Sequence, residues 1–189
     1  MIKIGILGGI GSGKSYVAKC FGYPVFNADH EVSKLYKKDK RTYNKLKKIL
    51  PKHFQSFPIE KAEVSNAILA NKSNLSKIVK IIHLEIRKKL NNFLKKNQNK
   101  KFVILDIPLL LENKLNKKED ILIFVQSKKI EISKRLKKRN NFNQKLFNKF
   151  KNIQLPLDYK RKKSQFIIKN NFTKKHVMMN VRNILNKIM

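Results

Sequence analysis

The chain has 189 residues, 41% of them hydrophobic, which suits one compact domain with small insertions. Its single cysteine, Cys20, excludes an internal disulfide and any multi-cysteine zinc site, and no apolar run reaches the length that crosses a bilayer. With 45 Lys and Arg against 12 Asp and Glu the formal net charge is +33. Such a charge fits either polyanion binding or a coding bias that raises lysine everywhere. The second is favoured, because the charges are scattered and arginine is scarce beside lysine, so no specific nucleic-acid partner is expected.

The first strand, Ile2 to Leu7, begins almost at Met1, which leaves no room for a signal peptide and gives the expectation of a soluble cytoplasmic protein. Gly8-Gly9-Ile10-Gly11-Ser12-Gly13-Lys14-Ser15 follows, with the pattern G-x-x-x-x-G-K-S, and a helix opens at Tyr16-Val17-Ala18-Lys19-Cys20-Phe21. Strand, loop and helix are the setting in which this pattern binds phosphate. The glycines let Gly9, Ile10, Gly11, Ser12 and Gly13 turn several N–H groups toward one anion. The helix adds the positive end of its dipole. Lys14 is placed to reach the β- and γ-phosphates, and Ser15 offers a hydroxyl to Mg²⁺. The loop implies a nucleoside triphosphate with Mg²⁺.

A second short strand, Tyr23 to Asn27, precedes a helix from His30 to about Lys38. Asp29 either caps that helix or is the carboxylate that orients an attacking hydroxyl and takes its proton. From Asp39 to about Asn97 the pattern is helical. Its clearest element carries one apolar stripe: Leu75, Ile78, Val79, Ile82, Ile86, Leu90, Phe93 and Leu94. His83 and Arg87, four apart, share a face of it, as a packed histidine and a solvated charge or as ligands of one molecule. Phe102 to Asp106 reads as a central parallel strand. Its Asp106 is a strand-end turn residue or a carboxylate that acts on Mg²⁺ through water. Ile121 to Val125 is a further strand, followed by helices from Lys128 to about Lys138 and from Asn141 to Gln154. Gln165 to Ile168 is the last strand, and Thr173 to Met189 a closing helix. Alternating strands and helices imply an α/β fold with a parallel sheet, whose ligands gather at the carboxyl ends of the strands.

Gly8 to Ser15, Asn27-Ala28-Asp29 and Ile107-Pro108-Leu109-Leu110-Leu111-Glu112 together resemble the dephospho-coenzyme A kinase family, and the resemblance runs nearly the whole chain. The phosphate loop specifies only a superfamily; the P-L-L-x-E run is much more specific. His83-Leu84-Glu85-Ile86-Arg87 is similar to the family's H-P-x-I-R segment, and Arg135-Leu136-Lys137-Lys138-Arg139 to its lid. Gln154 and Asn170 fall where the family carries Gln and Asn, near the base-binding side. Departures are Asn27 for the usual Asp, Tyr16 after the loop serine, Leu84 for proline, and Ser164-Gln165 before the last strand.

The resemblance implies a P-loop kinase three-layer fold with a five-stranded parallel sheet. Residues 1–38, 101–127 and 154–189 would form the nucleotide-binding core, 39–100 a helical insertion for the acceptor, and 128–153 a lid. It implies transfer of the ATP γ-phosphate to the ribose 3′-hydroxyl of dephospho-coenzyme A, by a monomer or weak homo-oligomer. Asp29, Lys14 and Arg139 would be catalytic, with Arg135 also on ATP. Ser15 and Asp106 would serve the metal. His83, Arg87, Pro108, Leu109, Leu110 and Glu112 would bind the acceptor along with Asp29. Another small-molecule P-loop kinase, or a nucleic-acid-binding ATPase, would share the loop but leave P-L-L-x-E unexplained. A guanine-reading N-K-x-D tetrad is absent from the sequence.

Overall fold

The computed structural model describes residues 1–139 and 142–189. The chain divides into two units: residues 1–27, 97–143 and 147–189 form the first, and 28–96 with 144–146 the second.

Near-continuous apolar runs make the first unit's sheet, as expected for strands buried on both faces. β1 (Ile2–Gly8), β2 (Val25–Asn27), β3 (Phe102–Asp106), β4 (Ile121–Gln126) and β5 (Phe166–Lys169) run all parallel in the order β2-β3-β1-β4-β5. On one face Ile4 and Ile6 join α1 (Lys14–Cys20) and α9 (Lys174–Ile188) in a core that includes Val17, Phe21, Ile104 and Val177. Strand alternation turns Gly5 the other way, and there Leu110 packs onto it, 0% exposed. The P-L-L-x-E run is therefore a tight turn seated on β1, closed by Asn113 N–H to Leu109 O and Leu115 N–H to Leu110 O.

In the first unit α6 (Lys129–Lys137) follows β4, and α8 (Leu157–Lys162) lies against β1. The helix expected from Asn141 is α7 (Gln144–Asn152); its expected start at Asn141 lies outside the described residues. α8 was not expected, since its six residues, Leu-Asp-Tyr-Lys-Arg-Lys, carry no apolar stripe.

The second unit is helical: α2 (Ala28–Lys38), α3 (Lys40–Ile49), α4 (Lys61–Ala70) and α5 (Lys72–Lys96). Starts are set by side chains that take otherwise unpaired N–H groups. Asp39 accepts from Arg41 and Thr42, and Glu60 with Glu63 forms a capping box. The α5 stripe is the buried seam. Leu75, Ile78, Ile82, Ile86 and Leu90 are buried, and α2, α3 and α4 each pack against this helix.

Candidate active site

The phosphate loop joins the C-terminus of β1, the middle strand, to α1. Gly8 has φ 144° and Gly13 has φ 89°, in the region that favours glycine. Neither site has room for a side chain: a Cβ on Gly8 would stand 2.7 Å from Val125 O, and one on Gly13 would collide with the Asn170 amide. The loop is held from behind. Ser12 O accepts hydrogen bonds from Ser127 Oγ and from Asn170 Nδ2, each 2.9 Å. In a trans peptide the N–H points opposite to the carbonyl, so these two bonds also fix the direction of the Gly13 N–H. Asn170 is buried, and its Oδ1 accepts from Phe172 N at 2.8 Å. It thus splints the loop.

Lys14 is buried, and its Nζ donates to Gly8 O at 3.1 Å and Gly9 O at 2.8 Å, holding a cation across the loop. The buried Ser12 Oγ has no hydrogen-bond partner among the described residues. Ser15 is exposed on the first turn of α1, a turn with no acidic residue to offset the helix dipole. A cation, an unsatisfied hydroxyl, a positive helix end and an exposed serine suit a polyphosphate with Mg²⁺. Magnesium takes few protein ligands beside phosphate oxygens and water. No group of three or more His, Cys, Asp or Glu that could hold a metal occurs among the described residues.

Asp106 ends β3 beside the loop strand, 3% exposed, and register pairs it with Asn27 at the end of β2. The Asn27 amide donates a short hydrogen bond to Asp106 Oδ2. Asn27 therefore supplies a donor where a second carboxylate would repel. Two residues on, Asp29 lies exposed inside the first turn of α2, which starts directly at Ala28. It is not the cap of that helix, because no loop separates β2 from α2.

His83 and Arg87 both lie on α5, as expected, with His83 half-buried and Arg87 exposed. Burial and then the Arg87 charge push the His83 imidazole below its ordinary value, favouring the neutral ring. Between them Glu85 is held below the usual carboxylate range, chiefly by the hydrogen bond from Lys45 at 2.7 Å.

Arg135 and Arg139 do not share a helical face. α6 ends at Lys137, and Arg139 N–H turns back to Leu136 O. The Arg135 guanidinium lies over the Phe172 ring, 4.4 Å from its centroid, a cation–π contact. In the P-L-L-x-E turn, Pro108 and Leu109 are partly exposed, whereas Leu110 is fully buried. Glu112 receives Lys160 Nζ at 2.6 Å and Leu155 N–H at 2.9 Å. Lys160 escaped the sequence reading, since one lysine among so many carries no signal of burial.

A parallel five-stranded sheet with a G-x-x-x-x-G-K-S loop on its middle strand, and a carboxylate at the end of the neighbouring strand, defines a P-loop kinase. Two solved structures share the fold over nearly all of both chains. TT1252 from Thermus thermophilus has a TM-score of 0.80 at 24% identity, covering 100% of this chain and 98% of that one. Dephospho-CoA kinase from Campylobacter jejuni has a TM-score of 0.65 at 19% identity, covering 98% and 96%. The sequence model of the dephospho-CoA kinase family matches residues 2–176. A curated relative, dephospho-CoA kinase of Wolbachia pipientis wMel, is 35% identical over 190 residues, spanning 98% of this chain and 97% of its own. The chain belongs to the dephospho-CoA kinase family and is an ATP-dependent phosphotransferase.

Proposed function

We propose that the chain transfers the γ-phosphate of ATP to the ribose 3′-hydroxyl of dephospho-coenzyme A, giving coenzyme A and ADP, in the cytoplasm and as a monomer or weak homo-oligomer. The observation that carries this reading is the phosphate loop on β1 within a chain matched by its family over residues 2–176.

Gly9 to Gly13 cradle the phosphates with their N–H groups, and Lys14 leaves the Gly8 and Gly9 carbonyls for the incoming anion. Ser15 would hold Mg²⁺, with Asp106 serving the same metal, and the ion would supply positive charge to the β- and γ-phosphates. Asp29 accepts the proton of the attacking 3′-hydroxyl as its oxygen bonds to the γ-phosphorus and the bond to the β-phosphate oxygen breaks. Lys14 and Arg139 meet the charge that develops on the migrating phosphoryl. Arg135 joins them on ATP.

Residues 39–100 serve as the acceptor-binding insertion, with His83, Arg87, Pro108 and Leu109 as contacts. Residues 128–153 serve as the lid, which excludes water so that the ribose hydroxyl takes the phosphate. Residues 1–38, 101–127 and 154–189 are the nucleotide-binding core. Leu110 acts indirectly, as the anchor of its turn on Gly5.

Titrating dephospho-coenzyme A onto protein saturated with a non-hydrolysable ATP analogue tests the acceptor. Saturable binding, weakened about tenfold or more by Arg87→Ala, is expected. No binding to the intact protein would remove the reading.

A further inference from the structure

Glu112 and Lys160 form a buried ion pair in the first unit. Their side chains are 10% and 1% exposed, and the contact is 2.6 Å. A buried charge persists only when paired and hydrogen-bonded, so the pair must hold its surroundings in one arrangement. What it holds is specific. The single oxygen Glu112 Oε1 receives both Lys160 Nζ, from within α8, and Leu155 N–H, from just before it. One carboxylate therefore grips both sides of Pro156-Leu157. Leu157 in turn lies over the loop: a Cβ on Gly9 would meet its Cδ1 at 3.5 Å. Gly9 is one of the two residues whose carbonyls receive Lys14 Nζ. At the other end the clamp is fixed to β1 through Leu110 on Gly5.

We infer that Glu112 and Lys160 are positioning residues for the nucleotide: they clamp the 155–160 segment over the phosphate loop, rather than contacting the acceptor. The inference rests on the ATP-binding reading above but not on the identity of the acceptor. A second buried ion pair provides the control. Lys3 and Asp120 are 2.8 Å apart, with side chains 12% and 1% exposed. Lys3 lies six residues before Gly9 along an extended strand, about 20 Å away. A pair that only stabilises the fold should behave as this one does.

The experiment measures binding of a non-hydrolysable Mg-ATP analogue without acceptor, the KM for ATP and for dephospho-coenzyme A, and Tm. It compares the intact protein with Glu112→Ala, Glu112→Gln, Lys160→Met and Asp120→Ala. Glu112→Ala and Lys160→Met should weaken nucleotide binding and raise the KM for ATP by about tenfold or more, with the KM for dephospho-coenzyme A shifted less than about twofold. Glu112→Gln keeps an acceptor for Leu155 N–H and should recover part of the loss. Asp120→Ala should lower Tm and leave nucleotide affinity unchanged. Unaltered nucleotide affinity in the soluble Glu112 and Lys160 variants would overturn the inference. So would a shift confined to the acceptor KM, or an equal loss of nucleotide affinity in Asp120→Ala. If the intact protein binds nucleotide but makes no coenzyme A, the acceptor reading fails while the clamp is still tested.

Discussion

Asn27 shows how one side-chain atom sets the chemistry of its neighbour. Its amide donates to the buried Asp106 carboxylate, so Asn27→Asp would place two carboxylates together. One of them would then hold its proton to a higher pH in the folded protein than in the unfolded chain. Stability from such a group is present at low pH and lost as pH rises. The variant should therefore lose about 1–3 kcal/mol at neutral pH, with a Tm deficit that shrinks toward pH 5. A deficit independent of pH would contradict the pairing. His83 titrates with the opposite sign. Its folded value is lowered by burial and by Arg87, so its contribution to stability is complete above the unfolded value of 6.5 and is lost as pH falls through the folded one. An NMR titration should place the His83 midpoint below 6.5, and Arg87→Ala should raise it. A midpoint above 6.5 would refute the assignment. Asp29→Asn should cut kcat about a hundredfold or more while nucleotide affinity holds. Unchanged turnover would move the proton to Asp106.

At the scale of elements, legibility followed periodicity and length. β3 and the α5 seam were readable, because a run of four apolar residues closed by a carboxylate and a stripe repeated over 25 helical residues leave little choice of partner face. Truncating that seam should be costly: Ile82→Ala is expected to lose about 2–5 kcal/mol in denaturant unfolding, and a loss under 1 kcal/mol would show that the seam is not packed as described. The short helix α8 was not readable. α8 has six residues and four of its side chains are charged, so only Pro156 marks its start. The helix expected from Lys128 to about Lys138 is α6, which runs from Lys129 to Lys137.

For the whole molecule, the phosphate loop and the motifs at the strand ends carried the family from sequence alone, since each is a local pattern with its chemistry attached. Splints and clamps escaped it. Asn170 on Ser12 and Lys160 on Glu112 join residues 158 and 48 positions apart, and no local pattern announces such pairs. Charge is the other global property. A field from +33 attracts any polyanion. Duplex DNA should therefore bind weakly at low salt, lose affinity steeply as salt rises, and leave ATP turnover unstimulated. Stimulation that survives physiological salt would mean a nucleic-acid function. The central claim is tested most directly by incubating the protein with Mg-ATP and, in parallel, dephospho-coenzyme A, adenosine, AMP or duplex DNA, then assaying ADP and identifying products by mass. Coenzyme A and ADP in equal amounts, with the first acceptor alone, is the predicted result. ADP release with DNA, and no coenzyme A, would contradict it.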